Sequence, residues 1–150
     1  MDLILWRHAE AEDASPDLER RLTAKGHKQA ARIAQWLLQR LPAKFAVLSS
    51  PALRALATAE ALGAPVKNIA ALAPGASVRA VLEAAGWPDR KSAVVLVGHQ
   101  PDLGRAAAFL VSGAEASWSV KKGGFWWLSD RVRDAGAQVV VRAVMAPDLI

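Results

Sequence analysis

The sequence has no cysteine and only three histidines, His8, His27 and His99. Disulfides and thiolate metal sites are thereby excluded, and a histidine-rich metal site is not expected. Long apolar runs are also missing. Nothing approaches the roughly 20 consecutive apolar residues of a membrane span, and the opening Met1-Asp2-Leu3 puts an acid where a secretory signal carries cations. The expectation is a cytoplasmic protein that works without a metal or cofactor. Clustered cations are scarce as well. Lys and Arg number 19 against 14 Asp and Glu, a formal net charge of +5, yet the adjacent basic pairs are confined to Arg20-Arg21, Arg90-Lys91 and Lys121-Lys122. The excess suits anionic partners such as phosphoproteins or phosphorylated metabolites. It is too dispersed, and too free of interleaved aromatics, for a nucleic-acid footprint. Neither nucleic acid nor membrane is expected as a partner.

What is present points to an α/β domain. The 150 residues, 53% hydrophobic, suit one domain with one core, and no repeat or linker divides residues 1–150. Leu3-Ile4-Leu5-Trp6, Phe45-Ala46-Val47-Leu48 and Ala93-Val94-Val95-Leu96-Val97 are short, continuously apolar runs. Such runs mark strands covered on both faces, at the centre of a sheet. Between the first two, Ala30, Ile33, Ala34, Leu37, Leu38 and Leu41 recur at intervals of mostly three and four, with Thr23 as N-cap and Pro42 as the stop: an amphipathic helix. A second helix is expected from Ser50-Pro51, Ser50 capping and Pro51 in the first turn, to about Gly63. Two more are expected over residues 77–85 and 101–111. The tail reads differently. Phe125-Trp126-Trp127-Leu128 and the run over 139–144, separated by Asp134-Ala135-Gly136, predict an antiparallel hairpin at the sheet edge. The sum is a three-layer α/β/α fold whose central sheet is mostly parallel.

In such sheets ligands bind beyond the carboxyl ends of the strands, and that is where Arg7-His8 and Gly98-His99 fall. Arg54 lies in or just past the first turn of the second helix. A phosphoryl group needs its oxygens neutralised while a nucleophile is presented in line with the leaving group. Arginine supplies the first through a planar, permanently charged fork, so Arg7 and Arg54 are the expected clamp. A neutral imidazole supplies the second, and nearby guanidinium charges favour neutral His8. His99 is the expected partner that stabilises charge on the transferring group, by donating a hydrogen bond or as imidazolium.

Three motifs in order carry a resemblance: Arg7-His8-Ala9 after the first run, Ser50-Pro51-Ala52-Leu53-Arg54-Ala55 with Thr58-Ala59-Glu60 after the second, and Gly98-His99 after the third. Together they resemble the histidine phosphatase superfamily. Within it, the short length, the segment Arg20-Arg21-Leu22-Thr23-Ala24-Lys25-Gly26 and the segment Gly98-His99-Gln100-Pro101-Asp102-Leu103 most resemble SixA-type phosphohistidine phosphatases. The likeness runs from residue 3 to about residue 111. It implies a histidine-phosphatase-like fold, a covalent phosphohistidine on His8, and a third phosphate ligand at Arg20, or at its neighbour Arg21 if the alignment slips by one.

Other residues read more simply. His27 is expected as an exposed helix residue, and Asp17 as a residue that shapes its loop or orients Arg20. The six tryptophans are expected in core and edge packing, with Trp6 next to Arg7 as a possible border of the pocket. Relatives that act on phosphate esters place a carboxylate general acid between the second motif and the last histidine. Here that interval holds only Glu60, Glu83 and Asp89, none well placed, and leaves no room for a lid. An open site suits a phosphate displayed on a protein, above all a histidine-containing phosphocarrier, whose imidazole leaves without a dedicated acid. The alternatives are a phosphatase of small esters or anhydrides using the same chemistry and, against the intact histidines, a non-catalytic phosphate-binding module.

Overall fold

The computed structural model describes residues 1–134 and 136–150. Six strands form one sheet: β1 (Asp2–Arg7), β2 (Phe45–Ser49), β3 (Val66–Asn68), β4 (Ala93–Gly98), β5 (Phe125–Arg133) and β6 (Gly136–Met145), in the spatial order β3-β2-β4-β1-β5-β6. β1, β2, β3 and β4 pair in parallel, while β5 runs antiparallel to both β1 and β6. The three apolar runs therefore occupy interior positions and the tail hairpin forms one edge, as their sequences require. Ala135, in the middle of the expected hairpin turn, lies outside the described residues.

The parallel strands are apolar on both sides because each side has its own helical cover. Along β1, Ile4 and Trp6 join a cluster with Ile33, Leu37, Ala55 and Ala59, whereas Leu3 and Leu5 join another with Val81, Leu103 and Ala107. Alternation at period two thus feeds two cores, one under α1 (Ala24–Leu38) and α2 (Leu53–Glu60), the other under α3 (Val78–Ala85) and α4 (Asp102–Ser112).

Two expectations need correction, and one strand was not foreseen. Helix α1 is capped by the Thr23 hydroxyl, which accepts from the Gly26 N–H, but it ends at Leu38 rather than at Pro42. Leu41 follows in a turn closed by its N–H on the Leu37 carbonyl, so the apolar periodicity outlasts the helix. Helix α2 begins at Leu53, with Ala52 as its cap residue. Ser50 instead uses its hydroxyl to accept from the Ala52 N–H at 3.2 Å, a local turn that competes with helix. Strand β3, three residues long, had no sequence expectation; it is too short to show a period.

Helix α1 approaches the loop after β1 closely. Gly26 is buried, and a Cβ built there would run into the carbonyl oxygen of Glu10. In an exposed helix, replacing Gly by Ala stabilises by about 1 kcal/mol. Here Gly26→Ala is expected to destabilise by about 1–3 kcal/mol, seen as a fall of several degrees in the thermal unfolding midpoint; an unchanged or raised midpoint would refute the close approach.

Candidate active site

The site begins with strand register. Arg7 pairs with Gly98 across β1 and β4, so His8 and His99, each the next residue, leave neighbouring strands side by side. The His8 N–H donates to the Gly98 carbonyl at 3.0 Å, which extends the ladder one step past the strand ends. The two rings lie 5.2 Å apart between centroids, tilted by 54°, and both are buried.

Hydrogen bonds fix how each ring is presented. His8 Nδ1 is 2.8 Å from the Ala9 carbonyl oxygen. A carbonyl only accepts, so Nδ1 carries the proton and Nε2 keeps its lone pair. Arg54 Nε donates toward that lone pair at 3.3 Å. His99 Nε2 lies 2.7 Å from Ser50 Oγ, and its Nδ1 lies 3.4 Å from Arg54 Nη2. A guanidinium only donates, so Nδ1 accepts and the Nε2–H donates to Ser50.

Arg54 is itself 4% exposed and stands in the first turn of α2, where the sequence places it. Its Nη1 donates to the Asp17 backbone oxygen at 2.7 Å and its Nη2 to Asp17 Oδ2 at 3.1 Å. Arg7 donates from Nη1 to the Val120 carbonyl at 2.9 Å, while its Nε is buried with no hydrogen-bond partner among the described residues. Arg20, a quarter exposed, donates from Nε to the Glu12 carbonyl at 2.7 Å and pairs with Asp17 Oδ1 at 3.3 Å. Of the two candidates Arg20 and Arg21, only Arg20 joins this network; Arg21 is exposed and lines a separate groove with Leu53.

Both imidazoles are held neutral. His8 is lowered to about 4, first by burial, then by the charges of Arg54, Arg7 and Arg20, with the Ala9 bond opposing. His99 is lowered to about 3 by burial, by His8 and by Arg54, against a smaller opposing effect of Asp17. The sequence assigns the neutral state of His8 to the arginines; burial is the larger cause.

Several contributors were not legible as such. Asp17 orients Arg54 as well as Arg20. Ser50 supports His99 rather than capping a helix. Thr58, one turn after Arg54 on α2, accepts from the Ala9 N–H at 3.0 Å and donates to the Arg54 carbonyl at 2.8 Å; a polar residue at that spacing on an apolar helix face is the signal that finds it. Trp6 does not border the pocket. It is fully buried, and its indole N–H holds the Gly123 carbonyl at 2.8 Å. That bond secures the segment that supplies the Val120 carbonyl to Arg7 and the Gly123 N–H to the His8 carbonyl. His27 is exposed. Glu83 and Asp89 line a groove beside Phe109, away from the histidines, and Glu60 is exposed at the end of α2. Among the described residues, no group of three or more acidic or histidine side chains converges as a metal site, and no helix is long and apolar enough to cross a membrane.

Comparisons with known proteins show the family and the fold. The histidine phosphatase superfamily (branch 1) profile matches residues 3–74. An uncharacterized protein of Picosynechococcus sp. is 41% identical over 127 residues, spanning 75% of this chain and 74% of its own. The structure of the protein histidine phosphatase SixA complexed with tungstate superposes with a TM-score of 0.83 at 25% identity, covering 99% of each chain. A Nakamurella multipartitia protein assigned as the phosphohistidine phosphatase SixA superposes with a TM-score of 0.75 at 32% identity, covering 97% of this chain and 96% of that one.

Two outcomes follow from the depressed imidazoles. Nitrogen-detected NMR titration should find His8 as the Nδ1–H tautomer, protonating near pH 4; protonation at the ordinary histidine value would contradict the buried arrangement. Between the folded values and about 6.5 the unfolded chain binds more protons than the native one. Stability is therefore full above about pH 6.5 and falls as pH drops through that window, and the fall should shrink when both histidines are replaced.

Proposed function

The chain belongs to the histidine phosphatase superfamily, branch 1, as a SixA-type member, and on that basis we propose that this phosphatase removes the phosphoryl group from phosphohistidine in a protein. His8 is the covalent carrier, and no metal takes part. The observation that supports this reading most is the meeting of the His8 Nε2 lone pair and the His99 Nδ1 edge on Arg54, with the charge of half-buried Arg7 acting on both imidazoles and its Nε left without a partner among the described residues.

In the first step the Nε2 lone pair attacks phosphorus in line with the leaving nitrogen, and the substrate P–N bond breaks. A departing imidazole that carries a proton on its other nitrogen leaves neutral, which removes the need for a carboxylate acid. Arg7, Arg20 and Arg54 receive the phosphoryl oxygens. As the anion arrives, its charge raises the proton affinity of His99, whose Nδ1 then donates to the phosphoryl group. In the second step water attacks phosphorus and the Nε2–P bond breaks. Because the Ala9 carbonyl keeps Nδ1 protonated, His8 also departs as neutral imidazole, ready for another cycle.

The choice of a protein substrate rests on the missing acid and on the short interval between α2 and His99. That interval contains β3, one turn of 3₁₀ helix at Ala70–Leu72, α3 and β4, with no inserted domain among them. A small ester gains from enclosure and from an acid to protonate its alkoxide; a phosphoryl group displayed on a protein surface needs neither.

Turnover of a phosphohistidine carrier protein should exceed that of a panel of small esters in kcat/KM, and should persist in chelator. A reversed ratio would move the assignment to small esters. An acid-labile, alkali-stable phosphoryl adduct should form on the wild-type protein and be absent from His8→Ala, and His99→Ala should lose on the order of a hundredfold or more in kcat. An active His8→Ala protein would sink the covalent route.

A further inference from the structure

Arg21, His27 and Glu60 take no part in the phosphate chemistry, yet the structure brings them together. With Leu22, Leu53 and Leu56 they line a groove of about 290 Å³. One wall is the outer face of α2, the helix whose inner face carries Arg54, Ala55, Thr58 and Ala59 to the site and core. The other wall is Arg21-Leu22 and the first turn of α1. Leu53, the residue before Arg54, is 39% exposed, and Leu56 is half-buried. A helix rises 1.5 Å per residue, so the groove starts at the residue before Arg54 and runs roughly 10 Å down α2.

Its position says what meets it. The groove is a depression of its own, one residue away from the clamp on each wall: Leu53 adjoins Arg54, and Arg21 adjoins Arg20, which shares Asp17 with Arg54. A substrate that is a lone phosphate or a small ester ends at the clamp. A protein delivering a phosphorylated side chain to His8 lays the surface around that side chain against the rim, and an apolar rim lowers the cost of contact only where an apolar group covers it. The wall opposite α2 carries the groove's cation, Arg21. Arg21 is exposed, and Lys25 and Lys28 stand exposed in the adjoining turns of α1, against the single acid Glu60 of the groove.

We propose that this groove is the docking site for the protein that carries the phosphohistidine, receiving an apolar side chain that neighbours the phosphorylated residue, with acidic groups of that protein facing Arg21. The proposal rests on the reading of the site as a protein phosphohistidine phosphatase. It assigns to Leu53, Leu56 and Arg21 the selection of the protein, and leaves the chemistry to the histidines and the clamp. Binding energy from a part of the substrate remote from the reacting bond then raises kcat/KM for the protein over any small phosphoramidate.

The test compares two substrates on one set of variants: a phosphohistidine carrier protein and free phosphoimidazole. Leu53→Asp and Arg21→Glu should each raise KM for the carrier protein by about tenfold or more, the scale of losing one good interfacial contact. Both should leave phosphoimidazole hydrolysis within about twofold of wild type. Arg21→Lys should recover most of the loss from Arg21→Glu. Equal losses on both substrates would show that the substitutions disturb the site itself, and unchanged carrier kinetics would show an unused groove; either overturns the proposal. Failure of the underlying reading looks different: the wild-type protein would then prefer small esters to the carrier before any variant is made.

Discussion

One buried guanidinium organises the site. Arg54 reaches His8 through Nε, His99 through Nη2, and Asp17 through both terminal nitrogens. A charge this deep is costly unless it is paired and hydrogen-bonded. Asp17 supplies the pairing from the loop after β1, and the two imidazoles accept the remaining contacts. Take Asp17 away and the guanidinium loses its counter-charge; take Arg54 away and both rings lose their shared neighbour. Loop, helix and two strand ends are held in one arrangement by one side chain.

That arrangement is possible because the elements carrying it are themselves fixed from below. β1 and β4 are covered on both faces, so their carboxyl ends have little freedom, and the register of Arg7 with Gly98 sets the two histidines abreast. Trp6 extends this constraint outward: its indole anchors Gly123, and the anchored segment places a carbonyl on Arg7. Burial then does chemical as well as structural work, since the desolvation that packs the rings also keeps them unprotonated.

Much of this could be read from the residues in order. Continuous apolar runs located the interior strands, and motif residues at their ends located His8, His99, Arg7 and Arg54. The hairpin at the edge was visible from its β-rich halves. What escaped were features decided by tertiary contact. Helix α1 stops short of its apolar periodicity because Leu41 folds back in a turn. Ser50 has a capping residue's identity, but its hydroxyl serves a histidine brought close only by folding. Asp17 could be tied to Arg20, three residues on, but its bonds to Arg54 join groups remote along the chain. The choice between Arg20 and Arg21 likewise turns on which side chain faces inward, a question that sequence spacing alone leaves open.

The placement of groups on this scaffold divides labour between two kinds of chain. The groups gathered around Arg54 are mounted at the ends of interior strands or on the inward face of α2, whereas the exposed surfaces beside them belong to connections and outward helix faces. A lineage built this way can change what it receives by drifting at its periphery while its chemistry stays the same.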